Sequence, residues 1–196
     1  MLLRRLQLVR HGETDGASSV RMIGSTDADL SEEGRVQMRR VAAGVNRDVI
    51  ELVVASPLKR SWRSAWIVGG GTPVRLDADL REIHFGRWEG LTHEEIRARD
   101  PVLYQDWRKR TPGFEFPGGE PREDFRARVA RALERLRGDG ATAALLVVHK
   151  GVIRAIVLEL LGEPLPDDEP ALGELVELTR NPDGSWFRGR RTSNPR

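Results

Sequence analysis

The stretch Leu-Val-Arg-His-Gly-Glu-Thr, residues 8–14, ends the first apolar run of the 196-residue chain. Residues 6–9 form a short, mostly apolar run, which is typical of a buried strand. Arg10 and His11 therefore lie between the end of this strand and a glycine turn. An arginine fork orients phosphate oxygens, a neutral imidazole attacks phosphorus, and Gly12 permits close approach of the backbone. A histidine in such a place, taken by itself, is more often a capping or buried structural residue.

Composition indicates an ordinary globular protein. The chain is 39% hydrophobic and long enough for one domain with a substantial core. There is no stretch of 18 or more apolar residues, so we expect no membrane span. The sequence becomes strand-like within a few residues of its start, which predicts no signal peptide. There are no cysteines, hence neither disulfides nor thiolate chemistry, and we expect a cytoplasmic protein.

Charge gives little support to a nucleic-acid partner. The 32 Lys and Arg residues are interleaved with 30 Asp and Glu residues, so the net charge is only +2 although the pI is near 9.5. Such interleaving predicts a surface of salt bridges, and no basic tract accompanies an aromatic RNA-binding signature. Composition carries no indication of the oligomeric state.

Strand and helix patterns alternate, which predicts an α/β fold. The predicted strands are residues 6–9, 52–55, 73–76, 143–148, 174–179 and 186–190. The predicted helices are residues 32–46 after the N-cap Ser31, 57–68 opened by Pro57, 92–100, 101–110, 122–137 and 151–161. Asn181-Pro182-Asp183-Gly184 is typical of a hairpin turn. We expect residues 1–196 to form a single domain, with residues from about 83 to 121 inserted over the sheet as a helical lid.

Further motifs follow the first one in a fixed order. They are Arg21 and Gly24, Ser56-Pro57-Leu58-Lys59-Arg60, Arg81-Glu82-Ile83-His84-Phe85-Gly86-Arg87-Trp88-Glu89-Gly90, and Val147-Val148-His149-Lys150-Gly151-Val152-Ile153-Arg154. This ordered set resembles the histidine phosphatase superfamily, also called phosphoglycerate mutase-like, and in particular its phosphatase branch. The resemblance implies a three-layer α/β/α sandwich with a mostly parallel central sheet and a C-terminal hairpin.

Three distant segments bring functional side chains to one edge of the predicted sheet, independently of the resemblance. His11 and His149 each follow a strand, and Arg60 lies near the start of the helix after another strand. Sites in doubly wound sheets form outside the carboxyl ends of the strands. Metal binding is the competing use of two histidines and a glutamate. No His-x-x-x-His spacing is present and neighbouring arginines repel a cation, so we expect neither a metal nor a cofactor.

The resemblance assigns roles to these residues. His11 is implied to be the nucleophile that becomes phosphorylated, Arg10 and Arg60 to clamp phosphate oxygens, and His149 to donate to another phosphate oxygen. Glu82 is implied to be the general acid, because burial beside phosphate raises the pKa of a carboxyl group. The rival carboxylates, Glu89 and Glu13, are expected to be structural, and His84 and His93 to be surface or lid residues.

The sequence departs from the family pattern in three places. Ala17 replaces a phosphate-contacting Asn, so that Ser18 or Ser19 could supply the missing donor. Lys150 replaces a Gly after the second histidine and either faces the pocket rim or solvent, and Pro121 stands where Ser is typical. Arg21, Ser18 and Lys150 are therefore secondary candidates for phosphate contact.

The lid carries cations that either meet a second anionic group of the substrate or balance nearby carboxylates. The cations are Arg87, Arg97, Arg108, Lys109 and Arg110, and the carboxylates are Glu94, Glu95 and Asp100. The sequence does not say which small metabolite is the substrate.

The function predicted is metal-independent hydrolysis of a small phosphate monoester through a phosphohistidine on His11. Two alternatives remain, a cofactor-dependent phosphoglycerate mutase and a non-catalytic protein that binds a phosphate ligand on the same scaffold. Mutases of this superfamily carry a longer segment between the acid Glu and the second His, which excludes water. The short segment here favours hydrolysis.

Overall fold

A single mixed sheet organises the computed structural model, which describes residues 2–189. Its strands are β1 (Arg5–Arg10), β2 (Leu52–Ala55), β3 (Val74–Leu76), β4 (Ala143–Val148), β5 (Leu175–Arg180) and β6 (Trp186–Arg188). Their order across the sheet is β3-β2-β4-β1-β5-β6. The first four strands are parallel, and β5 and β6 form the antiparallel hairpin. Each predicted strand is present, but Arg190 of the predicted last strand lies outside the described residues.

The helices are α1 (Glu32–Gly44), α2 (Lys59–Val68), α3 (His93–Arg99), α4 (Pro101–Lys109), α5 (Arg122–Gly138) and α6 (Lys150–Leu161). The predicted N-cap is correct, because the Ser31 hydroxyl accepts from the Gly34 N–H at 3.1 Å. The prediction that Pro57 opens α2 is wrong by two residues. Leu58 is still extended at the cap position, and its N–H donates to the Ser56 hydroxyl in a turn.

Alternate residues of each central strand face two separate cores. In β4, Ala144 and Leu146 belong to a large apolar cluster with residues of α5 and α6, whereas Leu145 and Val147 belong to a smaller cluster with residues of α1 and α2. Side chains alternate between the faces of a strand, so the two clusters lie on opposite faces of the sheet. The fold is α/β, with helices covering both faces of the sheet.

The segment between β3 and α5 packs its aromatic side chains onto the larger core. Trp88 is fully buried and contacts the rings of Trp107, Phe114 and Phe116, and its indole N–H donates to Asp100 at 2.8 Å. This aromatic cluster anchors the segment to the larger core. None of the helices within residues 2–189 has the length and hydropathy needed to cross a membrane.

Candidate active site

The two histidines that end β1 and β4 lie side by side. Because β1 and β4 pair in parallel with Arg10 opposite Val148, both strands release their next residue at the same edge of the sheet. The His11 N–H donates to the Val148 carbonyl at 3.0 Å, and the His11 and His149 ring centroids are 5.1 Å apart in an edge-to-face arrangement. Both side chains are buried.

The turn after β1 fixes the tautomer of His11. The Nδ1 atom of His11 lies 2.7 Å from the Gly12 carbonyl oxygen, which can only accept, so Nδ1 carries the proton and Nε2 keeps its lone pair. Gly12 itself is required by a helix, since a Cβ there would lie 2.5 Å from the Gly34 carbonyl oxygen in α1. The close approach expected at Gly12 is thus an approach to α1.

Arg60 is fully buried and faces the His11 ring. Its Nε–H donates to His11 Nε2 at 3.2 Å. Its two Nη groups donate to carbonyl oxygens of the first loop, to Thr26 at 2.6 Å and to Gly24 at 2.5 Å. Burial lowers the pKa of Arg60 to about 10, so the guanidinium remains charged at neutral pH. The loop carbonyls hold the guanidinium in place with few of its donors left for a ligand.

Several buried nitrogen atoms at this edge have no hydrogen-bond partner in the described part of the chain. They are Nδ1 and Nε2 of His149 and Nε of Arg10. Burial and then the positive charge of Arg60 hold the pKa values of His11 and His149 well below the usual histidine range, so both rings are neutral. Nitrogen donors beside two guanidinium groups suit an anion such as phosphate.

Glu82 is buried as well. Its carboxylate oxygens accept from the N–H groups of Gly151 at 2.9 Å and Ile83 at 3.0 Å. Burial raises the pKa of Glu82, and these hydrogen bonds together with the charges of Arg60 and Arg10 only partly oppose the rise. A side chain at Gly151 would collide with the carboxylate. Glu82 therefore holds its proton to a higher pH than an ordinary carboxyl group does.

Glu89 organises the loop that holds Arg60. It accepts from the N–H groups of Gly24 and Ser25 and from the Thr26 hydroxyl, at 2.8 to 3.2 Å. Gly24 and Thr26 are the same residues whose carbonyls bind Arg60. These hydrogen bonds make Glu89 a support of the loop that holds Arg60.

Glu13 orders the loop that follows the first motif. It accepts from the Thr14 N–H, the Ser18 hydroxyl and the Ser19 N–H. Burial pushes the pKa of Glu13 upward, but these hydrogen bonds outweigh burial and hold it below its ordinary value. The Ser18 hydroxyl is consequently engaged by Glu13.

The other secondary candidates also contact groups outside the histidine pair. Arg21 donates to the Gly90 carbonyl at 2.6 Å and pairs with Glu95 at 3.0 Å. Lys150 donates to the Asp167 carbonyl at 2.8 Å, on the loop before β5. Ala17 adopts a left-handed backbone with φ of 54°, a conformation that Asn tolerates far better than Ala.

Two cations of residues 83–121 balance carboxylates. Arg87 forms two hydrogen bonds with Asp100, at 2.6 and 3.0 Å, and Arg110 pairs with Asp167 on the loop before β5. Within residues 2–189, Arg97, Arg108 and Lys109 form no ion pair.

The remaining lid histidines contact lid residues. The Gly86 N–H donates to His84 Nδ1 at 2.9 Å, and His93 contacts the ring of Trp107. Neither histidine belongs to the strand-end pair. Among the residues described, no three His, Asp or Glu side chains are grouped in a way that could hold a metal ion.

Arg128, a buried residue of α5 that contacts the backbone of Glu82, was not predicted from the sequence. Its Nη2–H donates to the Glu82 carbonyl at 3.1 Å. A signal was available, because Arg128 lies three residues after Phe125 and four before Ala132, on the apolar face of its helix. A charged residue on an apolar face needs buried partners.

Comparisons with known proteins show the family of this chain. The sequence model of the histidine phosphatase superfamily (branch 1) matches residues 6–188. The chain belongs to the histidine phosphatase superfamily. It is 38% identical over 201 residues to the glucosyl-3-phosphoglycerate phosphatase of Mycobacterium tuberculosis, covering 96% of this chain and 89% of the relative. The corresponding enzyme of Mycolicibacterium vanbaalenii is 37% identical over 183 residues, covering 88% of this chain and 80% of the relative.

A solved histidine phosphatase structure has the same fold. The native structure of a mycobacterial glucosyl-3-phosphoglycerate phosphatase superposes with a TM-score of 0.82 at 31% identity. The match covers 98% of this chain and 100% of the other. The predicted family, the α/β fold and the predicted enzyme class, a phosphoric monoester hydrolase, are confirmed. These relatives favour the phosphatase interpretation over the mutase alternative.

Proposed function

We propose that this histidine phosphatase hydrolyses small phosphorylated metabolites, sugar phosphates among them, through a phosphohistidine on His11. One observation carries the proposal. The His11 ring has its Nδ1 proton bound to a carbonyl and its Nε2 lone pair turned toward Arg60, in a buried site that also holds a carboxyl of raised pKa. These are the parts that nucleophilic transfer of a phosphoryl group requires.

In the first step, Nε2 of His11 attacks phosphorus and the bond from phosphorus to the ester oxygen breaks. The leaving oxygen takes the proton of the Glu82 carboxyl group, because an alkoxide is a poor leaving group. A phosphate oxygen replaces His11 Nε2 as the acceptor of the Arg60 Nε–H. Arg10 and the N–H of neutral His149 bind the other oxygens. The Gly12 carbonyl stabilises the positive charge that develops on the ring through Nδ1–H.

In the second step, water attacks the phosphorus of the phosphohistidine and the N–P bond breaks. The carboxylate of Glu82 takes a proton from this water, which restores the acid, and Nε2 recovers its lone pair. The sum of the two steps is ester plus water giving alcohol plus inorganic phosphate. No metal ion is needed in this scheme, because guanidinium and imidazole donors stabilise the phosphoryl charge.

The lid supplies the second part of substrate recognition in this proposal. Residues 83–121 cover the site within a single domain, and Arg110 meets a second anionic group of the substrate. Its present partner, the Asp167 carboxylate, is mostly exposed, and exposed ion pairs contribute little free energy. A substrate carboxylate can therefore replace Asp167 at little cost. The mycobacterial relatives are named for a phosphorylated glycerate, which makes glucosyl-3-phosphoglycerate a substrate to test.

A matched pair of substrates tests the lid contact. Glycerol 3-phosphate and 3-phosphoglycerate differ by a carboxylate, so Arg110→Gln should raise the KM for 3-phosphoglycerate and leave that for glycerol 3-phosphate unchanged. Asp167→Asn removes the competing carboxylate and should lower the KM for 3-phosphoglycerate. Equal effects of Arg110→Gln on both substrates contradict the contact.

Trapping of the phosphoenzyme tests the reaction itself. Acid-labile, alkali-stable label from a radioactive phosphate ester should appear on His11 and be absent in His11→Ala. The control is His84→Ala, which removes a histidine outside the strand-end pair. Label on any other residue overturns the nucleophile, and binding without turnover of p-nitrophenyl phosphate favours the non-catalytic alternative. Conversion of 3-phosphoglycerate to 2-phosphoglycerate favours the mutase.

A further inference from the structure

Arg128 of α5 is surrounded by acceptors from the segment that carries Glu82. Its guanidinium donates to the carbonyls of Asp79 at 2.7 Å, Arg81 at 2.6 Å and Glu82 at 3.1 Å. Its other edge forms two hydrogen bonds with the Glu120 carboxylate, at 2.6 and 2.9 Å. The side chain is buried, so these acceptors and the guanidinium satisfy one another away from water.

Two of these contacts lie on either side of the Glu82 Cα atom. The carbonyls of Arg81 and Glu82 flank the Cα atom of Glu82, and both are bound to one rigid guanidinium. The Glu82 side chain is then fixed at its far end by the N–H groups of Ile83 and Gly151. Arg128 itself donates nothing to the Glu82 carboxylate, so its effect on that group is exerted through the backbone.

We propose that Arg128 is a positioning residue for Glu82, which it holds at the distance from the ester oxygen that proton transfer requires. This inference rests on the proposed function. A displacement of about 1 Å in a catalytic group can cost about a hundredfold in rate, because proton transfer depends steeply on geometry. A guanidinium suits the task, since its planar fork spans three carbonyls and a carboxylate at once, whereas an ammonium group cannot.

The position of Arg128 predicts a dependence on the leaving group. When Glu82 is displaced, esters with alkoxide leaving groups lose the proton donor, whereas nitrophenolate departs without one. A merely structural role for Arg128 would lower the rates for both kinds of ester alike. The ratio of kcat/KM for glycerol 3-phosphate to kcat/KM for p-nitrophenyl phosphate therefore reports the placement of Glu82, and it does not depend on the folded fraction of the preparation.

Two variants and one control test the proposal. Arg128→Lys should lower this ratio by about tenfold or more, up to the loss of about 10²–10⁴ expected when a general acid is removed altogether. Glu120→Gln weakens the hold on Arg128 from its other edge and should lower the ratio less. Arg135→Lys is the control, because Arg135 of the same helix contacts Asp77 and Asp79 side chains of the same segment but no carbonyl of residues 81–82.

The outcomes separate this proposal from the one on which it rests. An unchanged ratio in Arg128→Lys, or an equal fall in Arg135→Lys, overturns the positioning role even when p-nitrophenyl phosphate is still hydrolysed. Failure of the wild-type protein to hydrolyse p-nitrophenyl phosphate overturns the proposed function instead. When Arg128→Lys yields little folded protein, the ratio measured on Glu120→Gln decides the question, because a fall supports the proposal and an unchanged ratio contradicts it.

Discussion

The Nε–H of Arg60 donates directly to Nε2 of His11, the ring atom whose lone pair the proposed reaction uses. In the proposed reaction the phosphoryl group takes the place of this hydrogen bond at Nε2. Arg60 also places a fixed positive charge next to the ring, which helps to keep His11 neutral. Both the hydrogen bond and the charge come from the Arg60 side chain, which loop carbonyls hold in place. Substitutions that keep or remove its positive charge can separate the two effects.

Replacement of Arg60 should change both rate and pH dependence. Arg60→Met and Arg60→Lys each lose the fork and should lower kcat by about 10²–10³. Arg60→Met also removes the charge that lowers the pKa of His11, so that pKa rises toward its ordinary value, although burial, the larger cause, remains. Protonated His11 cannot attack, so the fall in kcat/KM on acidification should begin at a higher pH in Arg60→Met than in Arg60→Lys.

The pH profile of kcat/KM for p-nitrophenyl phosphate measures this shift, and comparison between variants cancels the ionisation of the substrate. The control is Arg63→Met, on the same helix, which removes a surface pair with Asp29. Coincident profiles for Arg60→Met and Arg60→Lys would contradict the electrostatic part of the argument.

Replacing Glu82 and replacing Glu89, the two glutamates of the motif at residues 81–90, should have different effects on the reaction rate. Glu82→Gln removes the general acid and should slow glycerol 3-phosphate about 10²–10⁴-fold while p-nitrophenyl phosphate changes much less. Glu89→Gln loosens the loop that holds Arg60 and should slow both esters alike. Steady-state rates on the two esters decide between the residues. If the leaving-group effect appears in Glu89→Gln alone, the wrong carboxylate has been assigned.

The raised pKa of Glu82 also sets a limit on the alkaline side. A carboxyl that must donate a proton becomes inactive as the pH rises through its pKa, and burial brings that point closer to neutrality. With glycerol 3-phosphate, kcat should therefore fall in the wild type as the pH rises through this raised pKa. In Glu82→Gln the residual rate should lack this fall, which a pH series with both proteins measures. A fall of equal size in the variant would assign the alkaline limb to another group.

Ala17 offers a site at which stability and affinity can be improved separately. An alanine in the left-handed region costs roughly 1–2 kcal/mol, so Ala17→Gly and Ala17→Asn should both raise the free energy of unfolding, by about 1 kcal/mol. Only Ala17→Asn adds an amide donor where the family contacts phosphate, and it alone should lower the KM. Thermal unfolding and KM are the measurements, with Ala17→Val as the control that should destabilise. A lowered KM in Ala17→Gly would point to backbone relief instead of an added donor.

Chelation should leave the activity unchanged. The phosphoryl charge is met by Arg10, Arg60 and His149 in the proposed mechanism, so there is no step for a divalent ion to assist. Initial rates after dialysis against EDTA test this expectation. A rate that falls in the chelator and returns with a divalent cation would overturn the metal-free scheme.

Sequence patterns predicted the site most reliably where a local signal was strong. Two apolar strands ending in histidine, and an Arg-bearing helix after a third strand, were enough to predict the shared edge that holds His11, His149 and Arg60. The capping serine before α1 and the turn of the C-terminal hairpin were also readable, because each depends on a few adjacent residues.

Contacts between residues far apart in the chain could not be predicted in this way. The carbonyls that bind Arg60 belong to a loop about 35 residues earlier, and nothing in the composition of that loop marks its carbonyl directions. Arg128 meets the Glu82 backbone only because α5 packs against that segment. The start of α2 was misplaced for a local reason, since a turn at Ser56 delays the helix beyond Pro57.

The ring nitrogens of His149 and the Nε of Arg10, which have no hydrogen-bond partner within residues 2–189, make the stability of the fold depend on phosphate concentration. Burying polar atoms without partners weakens the native state, and a bound anion restores the missing hydrogen bonds in that state alone. Ligand that binds only the folded chain adds RT ln(1 + [L]/Kd), about 2.7 kcal/mol at a hundred times Kd. The reaction product, inorganic phosphate, should thus stabilise the folded state. The enzyme should therefore resist heat and proteolysis best where free phosphate is abundant.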